Sequence, residues 1–229
     1  MSASATFQLI TFDVYTALFD IEGSLIPVIQ ALLNEKVEAV DFVRIWRQKQ
    51  LEYALISNSL QRERIPFAVI TRLGLDYALN RVQVDLTDAS RQSLVSEWNR
   101  LKLWPEAAQV LVEVNNRGYA IGLLSNGDET MLQTLAAKLP IQCDHIFSSE
   151  KAAYYKPHPG VYKLPLKTLK LAANQVLHVA GSATDVTGTK AAGLHCAWSN
   201  RKHDRVLDSR YQADYEFENL LGLMDVLQV

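Results

Sequence analysis

Three short apolar runs, each followed by a polar turn, constrain the fold of this chain more than any other feature. They lie far apart, at residues 7–12, 119–124 and 176–180. Nearly continuous apolarity is typical of strands that are covered on both faces of a parallel sheet. Parallel strands need long crossover connections, and the stretches between these runs are long enough to supply them. We therefore predict an α/β fold with a doubly wound parallel sheet and right-handed crossovers.

Helical spacing fills the gaps between the predicted strands. In the sheet domain the predicted helices span residues 107–116, 131–138, 162–169 and 187–192. The interval 21–102 differs, because it carries helical spacing throughout and no convincing strand. We predict that this interval is a helical cap inserted after the first strand, and that residues 1–20 and 103–229 form the sheet domain. The clearest cap helix is expected from about residue 41 to 59, with Asp41 as its N-cap.

Composition argues against several classes of partner. The chain has 229 residues and a formal net charge of -2, so it lacks the basic excess that a nucleic-acid-binding protein uses to neutralise phosphates. No apolar run approaches the roughly 20 residues that span a bilayer, and no basic-then-apolar leader opens the sequence. Cys143 and Cys196 lie far apart, without the paired spacing of a zinc site or a disulfide framework. We expect a cytoplasmic protein with no nucleic-acid or membrane partner.

Polar residues occupy the positions where a ligand site would form. Asp13 follows the first strand, Ser125 and Asn126 end the second, and Asp185 follows the third. Lys156 lies in a loop between the second and third strands. Ligands of open parallel sheets bind beyond the carboxyl ends of the strands, where these side chains would converge. Each residue taken alone is more typical of a turn or a helix cap, so their order and kinds carry the argument.

Four segments resemble the motifs of one known superfamily in order and in spacing. They read TFDVYTALFD, LLSNGD, YYKPHPGVY and VAGSATDVTGTKAAG, and together they span almost the whole chain. They are similar to the four motifs of the haloacid dehalogenase superfamily, closest to the L-2-haloacid dehalogenases. A fifth segment, IWRQKQLEY, resembles a cap stretch of the same enzymes. The resemblance implies a Rossmann-like core with a helical cap.

The resemblance also implies a mechanism and a set of site residues. Asp13 would be a nucleophile that forms a transient aspartyl ester, and Lys156 would favour its ionised form. Asp185 would orient or deprotonate the hydrolytic water, and Arg47 would meet the departing halide. The implied substrate is a small anionic molecule such as a short 2-haloalkanoic acid. Residues expected to bind or surround it are Tyr15, Trp46, Leu51, Phe67, Ser125, Asn126, Tyr162 and Ser182.

The position two residues after the nucleophile separates the chemistries of this superfamily. Mg²⁺-dependent phosphatases place an aspartate there, whereas this chain has Tyr15. The phosphatases also carry an acid just after the fourth-motif strand, where this chain has Ala180 and Gly181. Because Mg²⁺ needs several oxygen ligands, we expect no metal and no cofactor. Two alternatives stay open: a Mg²⁺-dependent phosphatase acting on a small phosphometabolite, and a catalytically weak protein that binds small anions. A homodimer is among the expected assemblies.

Two motifs depart from the dehalogenase pattern. The nucleophile loop of the family usually reads F-D-x-Y-G-T-L-F-D, but here its glycine and threonine are Thr16 and Ala17. The hydroxyl of the nucleophile loop is therefore moved by one residue or lost. The fourth motif lacks the usual serines and asparagine, and Thr184 replaces a tryptophan. These changes predict an altered substrate range or a slower hydrolysis of the ester.

Overall fold

The computed structural model describes residues 7–33, 37–60 and 63–227. Its strands are β1 (Leu9–Phe12), β2 (Phe19–Asp20), β3 (Lys102–Leu103), β4 (Ala120–Ser125), β5 (His145–Ser148), β6 (Val176–Ala180), β7 (His195–Ser199) and β8 (Tyr215–Phe217). Six of them form one parallel sheet in the order β5-β4-β1-β6-β7-β8. The chain therefore has the predicted α/β fold, with β1 near the middle of the sheet.

Helices flank the sheet and fill the long interval after β2. They are α1 (Ile21–Leu33), α2 (Ala39–Ser59), α3 (Phe67–Arg81), α4 (Asp88–Ser96), α5 (Ala107–Asn116), α6 (Glu129–Ala136), α7 (Ser149–Ala152), α8 (Pro159–Tyr162), α9 (Leu164–Leu169), α10 (Ala183–Ala191) and α11 (Leu223–Val226). None of the helices in the described part of the chain is long and apolar enough to cross a membrane.

The chain divides into two compact units, one of residues 1–19 and 103–229 and the other of residues 20–102. The first unit contains the six-stranded sheet. Its central strands β1, β4 and β6 are almost wholly buried, which explains their continuous apolar sequence. Where the chain leaves and re-enters this unit, β2 pairs with β3, and the Trp104 backbone N–H donates to the Leu18 carbonyl at 2.9 Å.

The second unit is helical, and α2 packs along α3 in it. Trp46 of α2 is fully buried, in edge-to-face contact with Trp98 at a ring-centre distance of 5.6 Å. Its indole N–H donates to the Thr71 carbonyl at 2.8 Å. Gly74 lets the two helices approach, since a Cβ there would lie 3.0 Å from the Trp46 carbonyl oxygen.

The strand predicted at 176–180 and the helix predicted at 107–116 have the bounds that the sequence indicated. The helices predicted at 131–138 and 187–192 are α6, at 129–136, and α10, at 183–191. Two further details were wrong. Helix α2 begins at Ala39 with Glu38 at its N-cap, so Asp41 lies in the first turn, where its charge still favours the helix N-terminus. The single helix expected at 162–169 is two short helices, α8 and α9, divided at Lys163.

Candidate active site

Asp13 lies at the carboxyl end of β1 and begins a single π-helical turn, Val14–Leu18. Its backbone N–H donates to the Val179 carbonyl of β6 at 3.0 Å, which fixes the residue to the sheet edge. Its carboxylate Oδ2 accepts two hydrogen bonds from Thr16, one from the backbone N–H at 2.9 Å and one from the hydroxyl at 2.6 Å. The loop hydroxyl is therefore retained at Thr16, one residue earlier than in the family pattern.

Lys156 lies between two carboxylates. Its Nζ is 3.3 Å from Asp13 Oδ1 and 2.9 Å from Asp185 Oδ1. The lysine and both carboxylates are almost completely buried, so water screens these charges little. The backbone N–H of Lys156 donates to Asn126 Oδ1 at 2.7 Å, which ties the lysine loop to the end of β4. The sequence motifs on three separate segments thus converge at one edge of the sheet.

Asp185 lies in the first turn of α10 and is held by several donors. Tyr162 donates its hydroxyl to Asp185 Oδ1 at 2.8 Å. Burial alone would raise the pKa of Asp185, but opposing interactions, of which attraction to the Lys156 ammonium is the largest, hold that pKa well below its usual value. Burial, followed by the negative charge of Asp185, raises the pKa of Tyr162 well above its ordinary value. Asp185 is therefore a carboxylate and Tyr162 a hydroxyl donor near neutral pH.

His178 belongs to this cluster although no motif pointed to it. It is fully buried in the middle of β6, and its Nε2 lies 3.0 Å from Asp185 Oδ2 and 3.2 Å from Lys156 Nζ. Its Nδ1 lies 2.9 Å from the Thr11 hydroxyl of β1. The available signal was one histidine inside the apolar run V-L-H-V-A, since a buried imidazole needs polar partners.

The other residues predicted in the sheet unit differ in their surroundings. Ser125 is buried at the end of β4, and its hydroxyl has no hydrogen-bond partner among the described residues. Ser182 is the N-cap of α10, where its hydroxyl accepts from the Asp185 backbone N–H at 3.4 Å. Tyr15 is buried in the π-helical turn that follows Asp13, which we call the nucleophile turn. Its hydroxyl packs against Gly127, since a Cβ on that glycine would lie 2.6 Å from it. Ser125 thus offers an uncommitted donor, whereas Ser182 is engaged in capping.

The residues predicted in the helical unit lie on α2 and α3. Arg47 donates to the Gln50 side chain, and its guanidinium carbon is 5.5 Å from the centre of the Trp98 ring. Gln50 donates in turn to the Thr71 hydroxyl at 2.6 Å. Trp46 and Phe67 are buried in the interior of this unit, and Leu51 is partly exposed. Arg47 is therefore held by its own unit rather than extended freely into solvent.

The space beside Gly181 bears on metal binding. A Cβ at this position would lie 2.4 Å from the Thr16 carbonyl carbon and 2.5 Å from the Ala17 nitrogen. An acidic side chain therefore cannot be accommodated there unless the nucleophile loop moves. Across the described ranges, no group of three or more His, Cys, Asp or Glu side chains is arranged to hold a metal ion.

A family model for haloacid dehalogenase-like hydrolases matches residues 16–193, more than three quarters of the chain. The chain belongs to this family. It is 32% identical over 85% of its length to haloacetate dehalogenase H-2 of Moraxella sp. (strain B), covering 86% of that protein. It is 28% identical over 96% of its length to the (S)-2-haloacid dehalogenase of Pseudomonas sp. (strain YL), covering 94% of it.

Solved structures extend the likeness to the fold. The L-2-haloacid dehalogenase of Xanthobacter autotrophicus, solved with chloropropionic acid covalently bound, superposes with a TM-score of 0.86 at 25% identity. The match covers 98% of this chain and all of that one. Another L-2-haloacid dehalogenase, also 25% identical, has a TM-score of 0.91. The predicted family and the predicted fold class are both confirmed.

Proposed function

We propose that this hydrolase dehalogenates a short 2-haloalkanoic acid through an ester on Asp13. The observation that carries the proposal is the buried Asp13–Lys156–Asp185 arrangement, in which one ammonium bridges a strand-end carboxylate and a second carboxylate. The relatives named above are haloacid dehalogenases, and one was solved with a chlorinated acid attached to the protein. A carboxylate held in this way is suited to displace halide in line from the substrate carbon.

The proposed reaction has two steps. In the first, an oxygen of Asp13 bonds to the substrate carbon and halide departs towards Arg47, whose guanidinium offers a planar set of donors. In the second, water oriented by Asp185 attacks the ester carbonyl, and the bond from the carbonyl carbon to the substrate oxygen breaks. That oxygen takes one proton of the water, which releases the hydroxy acid, and the other proton leaves as Asp13 returns to a carboxylate. Ser125 and Asn126 would bind the substrate carboxylate, with Tyr15, Trp46, Leu51 and Phe67 around the carbon chain. Tyr162 would hold Asp185, and Ser182 would position the turn before it.

Metal-free catalysis is part of the proposal. The cation between Asp13 and Asp185 is the Lys156 ammonium, which neutralises charge where a phosphatase would use Mg²⁺. Tyr15 and the crowded Gly181 take the two positions where phosphatases carry acids. We further propose a cytoplasmic location, which the free thiols of Cys143 and Cys196 support, because reducing compartments keep thiols unpaired.

The deciding experiment combines halide release with detection of the ester. Incubation with 2-chloropropionate should release chloride, and mass spectrometry of rapidly quenched enzyme should find the added 1-carboxyethyl group on the peptide that contains Asp13. Asp13→Asn should abolish both signals while the circular dichroism spectrum stays unchanged. Turnover should survive EDTA. Phosphate-ester hydrolysis that EDTA stops would instead identify a phosphatase, and binding of the acid without an ester would identify an anion-binding protein.

We also propose that the enzyme forms a homodimer through the helical unit. Val69, Leu73 and Tyr77 form one row along α3, and each is more than 40% exposed. Leu55 and Ile56 of α2 are exposed to a similar degree. Exposed apolar patches of this kind mark interaction surfaces. Leu73→Glu should convert a dimer to a monomer in analytical ultracentrifugation, whereas a monomeric wild type would refute the assembly.

A further inference from the structure

His178 is a buried titratable group for which the two proposed chemical steps have no use. Strand β6 places it between two neighbours, with Thr11 opposite it on β1 and Cys196 opposite it on β7. It has no exposed surface, so both ring nitrogens need partners within the protein. An apolar side chain could fill this buried position without needing hydrogen-bond partners. The role of the imidazole therefore depends on the residues that it contacts.

The ring bridges the sheet and the charged cluster. On one side, Nδ1 is 2.9 Å from the Thr11 hydroxyl, which itself lies 3.5 Å from the Leu177 carbonyl. On the other side, Nε2 forms a triangle with Lys156 Nζ at 3.2 Å and Asp185 Oδ2 at 3.0 Å, and these two atoms are 3.0 Å apart. Nothing about His178 can therefore change without altering the surroundings of both charged residues.

Electrostatics favour one state of the ring. The charged groups that face it are Lys156, Asp185 and, further off, Asp13, while Tyr162 and Cys196 face it as neutral groups. Burial, opposed by Asp185 and supported by Lys156, lowers the pKa of His178 below its ordinary value of 6.5. The ring is therefore neutral near pH 7.

A neutral ring with its proton on Nδ1 completes the coordination of the lysine. Nδ1–H then donates to the Thr11 hydroxyl, and Nε2 keeps a lone pair for a Lys156 N–H, with Asp185 Oδ2 also 3.0 Å from that nitrogen. The other neutral tautomer would instead donate from Nε2 to Asp185 Oδ2 and offer Lys156 no acceptor. The ammonium has three donors. Three acceptors surround it: Asp13 Oδ1, the Asp185 carboxylate and His178 Nε2. Each donor of the ammonium then has an acceptor, and these contacts hold the lysine between the two carboxylates.

We propose that His178 is a positioning residue that holds Lys156 between Asp13 and Asp185 as a neutral hydrogen-bond acceptor, and that protonation of its ring switches the site off. An imidazolium would donate to Asp185 Oδ2 and would place a second positive charge 3.2 Å from the lysine nitrogen. Repulsion between these cations then displaces Lys156 from Asp13. The kinetic consequence rests on the proposed dehalogenation, whereas the state of the ring does not.

The first test needs no substrate and uses a variant only for assignment. Nitrogen-15 NMR of the histidine rings in the wild-type protein should show His178 as the neutral Nδ1–H form at pH 7.5, with the assignment made by loss of the signal in His178→Gln. Acidification should convert it to imidazolium at a midpoint below pH 6.5. An Nε2–H form or an imidazolium at pH 7.5 overturns the proposal, whether or not the protein dehalogenates haloacids.

The second test uses the pH profile. In the wild type, kcat/KM should fall tenfold per pH unit on the acid side, with the midpoint found by NMR. His178→Gln offers Lys156 an acceptor that does not titrate, so its rate at pH 7.5 should stay within about fivefold and the acid limb should move to lower pH. His178→Phe offers no acceptor and should lose at least tenfold in rate. His145→Gln, a partly buried histidine outside the cluster, is the matched control. An unchanged acid limb in both His178 variants overturns the proposal.

Discussion

The two oxygens of the Asp13 carboxylate are in different surroundings. Oδ2 accepts two donors from Thr16, whereas Oδ1 accepts from Lys156. An acceptor oxygen has two lone pairs, so Oδ2 is saturated and Oδ1 retains one lone pair for attack. Under the proposed mechanism, Thr16 would therefore direct attack to Oδ1, from a position that the family pattern assigns to glycine.

Removal of the Thr16 hydroxyl should slow formation of the ester. A hydrogen bond to a charged group contributes about 1.5–3 kcal/mol, so Thr16→Ala should reduce the single-turnover rate of alkylation by roughly 10- to 100-fold. Thr16→Ser should restore most of it, since the backbone N–H and a hydroxyl both remain. Equal alkylation rates for the alanine variant and the wild type would show that the hydroxyl does not orient Asp13.

Arg47 can be tested against another arginine on the same helix. Loss of a preorganised donor at a developing charge costs about 10²-fold, so Arg47→Ala should slow alkylation by that factor or more. Arg47→Lys should recover only part of it, because a point charge cannot replace the planar guanidinium. Arg44 is largely exposed and pairs with Glu22, so Arg44→Ala is the matched control. Similar rates in the two alanine variants would exclude the halide role.

Sequence motifs identified the residues that lie outside the strands and missed the one inside a strand. Asp13, Lys156, Asp185 and Tyr162 were predicted to share a site, and the structure places them in one hydrogen-bonded cluster. His178 was missed because strand periodicity records only whether a position is buried. Its partners come from other strands and loops, up to 167 residues away in sequence, and only the folded chain reveals them.

At the scale of elements, the nucleophile turn and the turn after β6 touch without space between them. Gly181→Ala would bring a methyl group within 2.5 Å of backbone atoms of Thr16 and Ala17, neither of which can move alone. The variant should lose about 1–3 kcal/mol of unfolding free energy and most of its activity. A Cβ at Gly160 would meet side-chain atoms of His158 at 3.0 Å and of Tyr154 at 3.8 Å but no backbone within that range, so Gly160→Ala should be milder. Urea unfolding and steady-state kinetics of both variants provide the check, and equal losses would refute close contact as the cause.

Strands that are buried on both faces were predictable, and strands at the margins of the sheet were not. The runs that became β1, β4 and β6 are apolar because both of their faces are covered. β5 and β7 each begin with histidine, and β8 is a three-residue edge strand with two exposed side chains. Pairing with an existing sheet determines such strands, and a local pattern does not record that pairing.

At the scale of the whole molecule, the active-site cluster makes folding stability depend on pH. The folded state lowers the pKa of both His178 and Asp185. The unfolded chain therefore binds more protons in acid, and stability falls as pH decreases. His178 contributes to this loss of stability below about pH 6.5, where the histidine of the unfolded chain protonates and that of the folded chain does not. The Asp185 contribution begins below its unfolded value of 3.8.

The free energy of unfolding should consequently decrease between pH 6.5 and 5, with His178 contributing up to about 1.4 kcal/mol per pH unit. His178→Phe should remove this part of the slope, because phenylalanine binds no proton in either state. His145→Gln should leave it in place. Urea titrations at pH 7.5, 6.5 and 5.5 measure the slopes directly, and a variant slope equal to that of the wild type would contradict the assignment.

Residues 20–102 are an insertion whose two ends, β2 and β3, pair with each other. We call this insertion the cassette and the sheet unit its host. The chain leaves the sheet unit and returns to it through neighbouring segments joined by hydrogen bonds, including that from Trp104 to Leu18. An insertion whose two ends are adjacent imposes no stretch on its host, so its length and sequence can change while the host fold persists. Asp13, Lys156 and Asp185 all lie outside the cassette, so recombination at β2 and β3 should leave their hydrogen-bonded cluster in place.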